Sequence, residues 1–397
     1  MAQTESRHAS WLELFFDLVV VAAIVQLANR LHGEPALPDV AAFLALYLAV
    51  WMAWASFTLH ANVAGEATRR RAMLLAMFGI AVMAAAIPRA TGARAVVFAV
   101  AYVAVRILGQ RTWTATRSAL LAWPSVQNGA SLVPWIVSIW VGPPGRYILW
   151  GVGLAMDMLL PILIGNRFDT AQAELPAWAR RLIDRQEADR RLHTAAEPIE
   201  FTVARLDMPH LAERLGLFVI IVLGEAVMQL VGAAAGVKWT GHLVATGVAG
   251  FILLIGLWWP TFRYGFVATQ GRELSVRAVM PLHFITVASI TAIAAGLGTL
   301  VAQSESHPET AVRWLLGGGL AAYYLGVVIA AVILRRLRWL FIWGLPCVAA
   351  PALVAAFGAA LPGVVFVWLL VAVVGWQGSY SWYEARRVRV VQPAAAG

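Results

Sequence analysis

Long apolar runs recur along almost the whole chain, and they restrict its possible folds more than any other feature. About twelve runs of about 17 to 25 residues occur, and about 20 apolar residues in a helix cover the roughly 30 Å hydrocarbon core of a bilayer. They lie at 11–31, 40–60, 71–88, 93–110, 129–142, 147–165, 210–232, 242–262, 277–302, 312–334, 339–358 and 362–382. Backbone groups in lipid must be hydrogen-bonded within their own segment, so each run predicts a transmembrane helix. The run 129–142 is short and contains Pro134, which predicts a tilted or half-spanning helix. The fold class is therefore an all-α, polytopic transmembrane helix bundle of about 12 spans.

The composition supports a membrane protein. Hydrophobic residues make up 61% of the chain and charged residues 13%, whereas about a quarter of a soluble domain is charged. The net charge of +9 is carried mainly by arginines in short loops, which topology explains better than nucleic-acid binding does. The predicted partner is the lipid bilayer, with no nucleic acid. Cys347 is the single cysteine, which excludes an intramolecular disulfide and a cysteine-rich metal site.

Arginines are distributed unequally between the loops on the two sides of the membrane. With the N-terminus in the cytoplasm, the cytoplasmic loops contain the clusters Arg69, Arg70 and Arg71, then Arg335, Arg336 and Arg338, then Arg386, Arg387 and Arg389. Cytoplasmic loops carry an excess of Lys and Arg in membrane proteins. The distribution predicts that both termini are cytoplasmic.

One sizeable polar segment, residues 166–209, divides the chain. It mixes arginines with acids at helical spacing, which predicts a cytoplasmic linker with an amphipathic helix. The predicted domains are a first six-helix membrane half at 1–165, the linker, and a second six-helix half at 210–397. The linker is interpreted either as a solvated connection or as a regulatory, partner-binding segment.

The two halves share residues at a nearly constant offset, which predicts an internal 6+6 repeat. Trp54 and Phe57 match Trp259 and Phe262, and Gln26 matches Gln229. Six spans per half is an even number, so both halves enter the membrane from the same side. The implied symmetry is a parallel repeat about an axis along the membrane normal.

Three acids lie within the apolar runs that begin the two halves. Glu13 and Asp17 are four residues apart and share one helix face, and Glu225 lies deep in the run 210–232. An intramembrane acid is costly and faces the bundle interior or a wet cavity, where it pairs with a base, binds a cation or carries a proton. We expect Asp17, Glu225 and Glu13 to line one path for a small solute or a cation such as H⁺. The alternative is that they form buried ion pairs that only hold helices together.

The segments around these acids resemble the two signature segments of a known family. Glu13-Leu14-Phe15-Phe16-Asp17-Leu18-Val19 and the later His210…Glu213-Arg214…Gly224-Glu225-Ala226 are similar to those of the bacterial low temperature requirement protein A family. Val20 stands where that family is expected to have an aromatic residue. The resemblance implies a multi-helix integral membrane protein of the bacterial cytoplasmic membrane, with no assigned biochemical activity.

Further polar residues are candidates for supporting charges or hydrogen-bond partners. Arg106 lies in the fourth run, near its cytoplasmic end, and is the natural counter-ion for the buried acids. His210, Glu213 and Arg214 open the seventh run, where a cap-and-interface role is expected. Asp157 precedes Pro161 and His283 follows Pro281, so each is expected to satisfy backbone groups that the proline frees.

Motifs of enzymes, metal sites and cofactor sites are not found in the sequence. The histidines are scattered, and Gly317-Gly318-Gly319 lies inside an apolar run, where it predicts close helix packing and not a phosphate-binding loop. No cofactor and no metal are predicted. The leading hypothesis is a transporter or channel. A membrane-embedded enzyme on a lipid-linked substrate and a membrane sensor or scaffold remain as alternatives, and the oligomeric state is left open.

Overall fold

A computed structural model describes residues 8–65, 70–116, 118–120, 123–126, 129–169, 202–204, 206–264, 268–269 and 272–391. Its regular structure is almost entirely helical, which confirms the predicted all-α polytopic bundle. In chain order the helices are α1 Trp11–Asn29, α2 Leu37–Ala64, α3 Arg70–Ala86, α4 Ala95–Thr116, α5 Leu132–Val137, α6 Gly145–Asp169, α7 Met208–Ala235, α8 Gly241–Tyr264, α9 Val276–Ala302, α10 Thr310–Ile333, α11 Leu337–Ala360 and α12 Gly363–Val391.

Most of these helices are suited to crossing a membrane. Within the described residues, 10 helices are long and apolar enough to do so, and this group contains neither α5 nor α6. Helix α6 has 25 residues, which is also sufficient length for a crossing. Helix α5 has 6 residues and belongs to the short fifth run.

The described residues form two compact units. The first unit comprises the described residues up to Ala23 and from Ala45 to Arg214, and the second comprises Ile24–Leu44 and those from Leu215 onward. Helices α1, α2 and α7 each contribute residues to both units. The internal repeat stays a prediction, and most of the predicted linker, at 170–201, lies outside the described residues.

Two short strand pairs occur in loops. In the first unit β1 Ser118–Ala119 pairs in parallel with β2 Thr202–Val203. In the second unit β3 Ala268–Thr269 pairs with the antiparallel β4 Arg272–Glu273. Each strand has two residues, so the pairs only tie loops together.

The described residues between α4 and α5 include irregular backbone inside the first unit. Before α5 the chain forms a 3-10 turn at Pro124–Val126, and proline cannot donate the backbone hydrogen bond that a continuous helix needs. Polar contacts hold this turn: the Ser56 hydroxyl donates to the Val126 carbonyl at 3.5 Å, and the Ser125 hydroxyl donates to the Asp157 carbonyl at 2.7 Å. Irregular backbone is tolerated at membrane depth where protein buries it, and Ser125 is buried.

Glycines set the closest helix contacts in the second unit. The ideal position of a Cβ on Gly317 lies 2.5 Å from the Pro351 carbonyl oxygen of α11, and that on Gly319 lies 3.0 Å from the Ile293 side chain of α9. Gly317 and Gly319 are two residues apart, so they face different directions and meet two different neighbouring helices. The packing role predicted for this glycine run is confirmed.

Candidate functional site

The start of α1 is a capping box that orients the first acid. The Glu13 N–H donates to the Ser10 hydroxyl oxygen at 3.3 Å, and the Ser10 N–H donates to Glu13 Oε2 at 2.7 Å. This reciprocal pair satisfies two N–H groups that a helix start leaves open. Ser10 was not predicted as part of the site, although a serine three residues before a glutamate is a readable signal for such a box.

The start of α7 is held by a cap and by the end of α2. The His210 N–H donates to Asp207 Oδ1 at 3.1 Å, which caps the helix. Asn62 exchanges two hydrogen bonds with the Asp207 backbone, both at 2.9 Å. These contacts fix the first turn of α7, and with it the direction in which His210 and Arg214 project from one helix face.

Arg214 lies between the two acids of α1. Its Nη1 is 2.9 Å from Glu13 Oε1, and its Nη2 donates to Asp17 Oδ1 at 2.7 Å. His210 Nε2 is 3.4 Å from Glu13 Oε1, and Trp54 Nε1 donates to Asp17 Oδ1 at 2.7 Å. We call Glu13, Asp17, His210 and Arg214 the charge cluster; all four belong to the first unit.

Burial separates the charge cluster from solvent. Asp17 is 0% exposed, Arg214 and His210 are 1% exposed, and Glu13 is 3% exposed. The predicted cap-and-interface role is therefore wrong for His210 and Arg214, because their side chains pack inside the unit against the signature acids. Glu13 is likewise buried, although it lies in the first turn of α1.

Hydrogen bonding differs between the two acids. Both oxygens of Glu13 have hydrogen-bond partners, Oε2 the Ser10 N–H and Oε1 His210 Nε2, and Oε1 also has a charge contact with Arg214 Nη1. Asp17 Oδ1 receives two donors, whereas Asp17 Oδ2 is buried with no hydrogen-bond partner among the described residues. An ionised oxygen without a donor is costly in a buried position. The cluster therefore has one open acceptor, at Asp17 Oδ2.

Glu213 lies at the surface next to the charge cluster. Its Oε1 is 3.3 Å from His8 Nδ1, and the side chains of His8 and Glu213 are 80% and 34% exposed. Adjacent positions on α7 thus bear one carboxylate at the surface and one guanidinium in the interior.

Arg106 forms a second buried ion pair in the first unit. Its Nη1 and Nη2 donate to Asp157 Oδ2 and Oδ1 at 2.8 and 3.0 Å, and Nη2 also donates to the Ser125 carbonyl at 2.9 Å. The Tyr102 hydroxyl lies 2.8 Å from Arg106 Nη1. This bidentate geometry is the strong form of an Arg–carboxylate pair.

The predictions for Arg106 and Asp157 need correction. Arg106 does not pair with the signature acids; its partner is Asp157, which was assigned to backbone groups near Pro161. Helix α4 continues to Thr116, so Arg106 lies near its middle and not near one end. The pair is 0% exposed and joins α4 to α6, and Arg106 also binds the turn at Pro124–Val126.

His283 and Glu225 belong to the second unit. His283 is fully buried, with Nε2 3.3 Å from the Leu215 carbonyl oxygen and its ring against Phe218. Glu225 is half-buried, and Gln229 Nε2 donates to its Oε1 at 2.7 Å. Gln229 also hydrogen-bonds His32 in the α1–α2 turn, where burial lowers the pKa of the imidazole. A path shared by Glu225 with Glu13 and Asp17 stays a prediction.

Metal-ligating side chains do not gather in the part of the chain that the structure describes. No group of three or more His, Cys, Asp or Glu side chains placed to hold a metal ion occurs there. The chemistry available to the charge cluster is therefore ion pairing, hydrogen bonding and proton exchange.

Comparisons with known proteins cover most of the chain. Residues 8–376 match the family described as Bacterial low temperature requirement A protein (LtrA). The chain is 26% identical over 328 residues to the uncharacterized protein RA0937 of Rhizobium meliloti (strain 1021). The matched region covers 77% of this chain and 71% of that protein. No solved structure matches the chain significantly.

Proposed function

We propose that this chain, which belongs to the bacterial low temperature requirement A protein family, moves a small solute or a cation across the membrane. In this proposal the charge cluster is the site that binds or couples the moving ion. Glu225, in the second unit, is a further residue of the ion path.

The single observation that carries the proposal is the composition of the charge cluster. Two carboxylates share one guanidinium in the interior of a membrane protein, where ionisable groups are expensive and mark ion pathways and proton relays. The two carboxylates and the one guanidinium together carry a net charge of −1, which a proton or a cation neutralises. A purely structural pair has no need of a second acid.

The proposed location is the bacterial cytoplasmic membrane, with both termini in the cytoplasm. The arginine-rich loops described above support this orientation. Glu13 and His210 lie in the first turns of α1 and α7, so the charge cluster is then closest to the cytoplasmic side.

Flux in liposomes tests the proposal. Reconstituted wild-type protein is expected to move protons or monovalent cations down an imposed gradient, and Asp17→Asn is expected to lose about tenfold or more of this flux. Glu305→Gln makes the equivalent carboxylate-to-amide change in an exposed turn and should keep wild-type flux. A gel-filtration profile that matches wild type shows that each variant is folded. Equal flux in Asp17→Asn and wild type, or no flux in any of the proteins, would contradict the proposal.

A sensor or scaffold is the second candidate, and the complete burial of Asp17 favours it. Asp17 contacts Arg214 and Trp54 and is 0% exposed, as expected for a pair that only fastens helices together. In that case Asp17→Asn lowers the folded yield without a specific loss of flux. The lipid-linked enzyme stays a hypothesis from the sequence, without a contact of the charge cluster that favours it.

A further inference from the structure

The charge cluster differs from a simple ion pair in having an unequal supply of hydrogen-bond donors. We infer that the ion handled by this cluster is a proton, and that Asp17 Oδ2 is the atom that carries it. This inference rests on the proposed function and names the ion that the proposed function leaves open.

The assignment to Asp17 follows from the contacts of the two acids. Glu13 Oε1 and Oε2 both face donors, so its ionised form is satisfied. Asp17 Oδ2 has no hydrogen-bond partner among the described residues and is buried. Leaving a neutral hydroxyl without a partner costs less than leaving an ionised oxygen without one. An added proton is therefore most stable on Asp17 Oδ2.

The proton count of the cluster is consistent with one exchangeable proton. With both acids ionised, the charges of Glu13, Asp17 and Arg214 sum to −1. When Asp17 Oδ2 takes up a proton from hydronium, one O–H bond of hydronium breaks, the O–H bond of the carboxylic acid forms, and the sum becomes zero. Loss of that proton to solvent leaves −1, so the cluster alternates between two charge states.

The same contacts favour a proton over a metal cation as the ion bound here. Hard cations require about six or more oxygen ligands. In the described cluster only Asp17 Oδ2 is open, and the guanidinium of Arg214 contacts both carboxylates, where it repels a second cation. A proton needs only the one oxygen.

The exposed pair His8 and Glu213 lies near the starts of α1 and α7, where the buried charge cluster also lies. His8 is the most exposed, and it contacts Glu213 at 3.3 Å. His210 and Glu13, 3.4 Å apart, lie deeper, and Asp17 is the deepest. The titratable and charged groups facing Asp17 are Glu13 from α1 and Arg214 and His210 from α7, whereas α2 presents the non-titrating Trp54. The proton enters from this end of the two helices.

Infrared difference spectroscopy of the full-length protein in nanodiscs tests the inference. Lowering the pH from about 8 to about 5, a range in which an ordinary exposed aspartate stays ionised, is expected to produce a carboxylic acid C=O band. The band should shift when aspartate is isotopically labelled, which requires no variant. It should be absent in Asp17→Asn and present in Glu305→Gln.

The outcomes separate this inference from the proposed function. A band that does not respond to aspartate labelling, that persists in Asp17→Asn, or that is abolished by adding Na⁺ or K⁺ at constant pH overturns the proton assignment. Flux driven by Na⁺ without proton uptake also overturns it, while transport itself stands. A band assigned to Asp17 in a protein without any flux supports the proton site and contradicts transport.

Discussion

Arg214 is the residue on which the charge cluster depends. Its guanidinium remains charged at all accessible pH values, and it contacts Glu13 and Asp17 within 2.9 Å. Removing one partner of a buried charge pair costs more than the pair contributes, because the remaining charge is left buried and unpaired. Two carboxylates depend on Arg214, so its loss should be more damaging than the loss of either acid.

Truncation of Arg214 should therefore destabilise the protein strongly. We expect Arg214→Ala to lower the free energy of unfolding by about 3–5 kcal/mol, and Arg214→Lys to lower it less because the charge remains. Denaturant unfolding of the purified protein in detergent measures both. Arg338→Ala, at an exposed arginine, is the control and should stay within about 0.5 kcal/mol of wild type. An Arg214→Ala variant as stable as this control would show that the cluster is not held by the guanidinium.

The Arg106–Asp157 pair shows how one residue couples an ion pair to backbone structure. Arg106 donates to both Asp157 oxygens and to the Ser125 carbonyl, so the same guanidinium neutralises an acid and satisfies irregular backbone. Both carboxylate oxygens of Asp157 receive a donor from Arg106, whereas in the charge cluster Asp17 Oδ2 is open. For this reason the ion-binding role is proposed for the charge cluster, and a structural role for the Arg106–Asp157 pair.

At the level of elements, close helix contacts depend on residues without side chains. Transmembrane helices gain little from hydrophobic exclusion when they associate, so van der Waals packing across small residues is a main source of stability. In the second unit Gly317 of α10 meets the backbone of α11 at Pro351, which cannot move aside as a flexible side chain can.

Adding a side chain at Gly317 should separate α10 from α11. We expect Gly317→Val to lower the free energy of unfolding by about 1–3 kcal/mol, the usual cost of overpacking. Gly224→Ala is the matched control, because a Cβ there meets nothing within 4 Å, and it should be neutral or stabilising by up to about 1 kcal/mol. Thermal unfolding followed by circular dichroism compares the two variants. Equal melting temperatures for both would contradict the contact between α10 and α11.

At the level of the whole molecule, the arginine distribution and the number of crossings determine which loops face the cytoplasm. Helix α10 separates Glu305, in the turn before it, from Arg338 in the first turn of α11, so one crossing places these positions on opposite sides. From the distribution of arginines between the loops, we expect the turn at 335–338 to be cytoplasmic.

Cysteine labelling of intact cells should report this orientation. Cys347 is 0% exposed, so the native thiol gives little background. We expect a membrane-impermeant maleimide to label Glu305→Cys in intact cells and Arg338→Cys only after permeabilisation. The reverse pattern would contradict cytoplasmic termini, and labelling of both positions in intact cells would contradict a crossing by α10.

The membrane helices and the helix face of the first two acids could be predicted from the sequence, because they depend on residues close together in the chain. Apolar length predicts a membrane helix because lipid leaves no other way to satisfy backbone hydrogen bonds, and the short fifth run with Pro134 predicted a helix of less than full span. Helical spacing placed Glu13 and Asp17 on one face, and a Ser10–Glu13 capping box was also open to prediction.

Only the tertiary structure decided which charges meet. Arg214 reaches Asp17 across 197 positions of sequence, whereas Arg106, the partner expected from sequence, binds Asp157. Helix periodicity specifies the face on which a side chain lies, but not the neighbouring helix that covers it. That choice depends on packing among all helices at once. For the same reason the open oxygen of Asp17 could not be found before the positions of Trp54 and Arg214 were known.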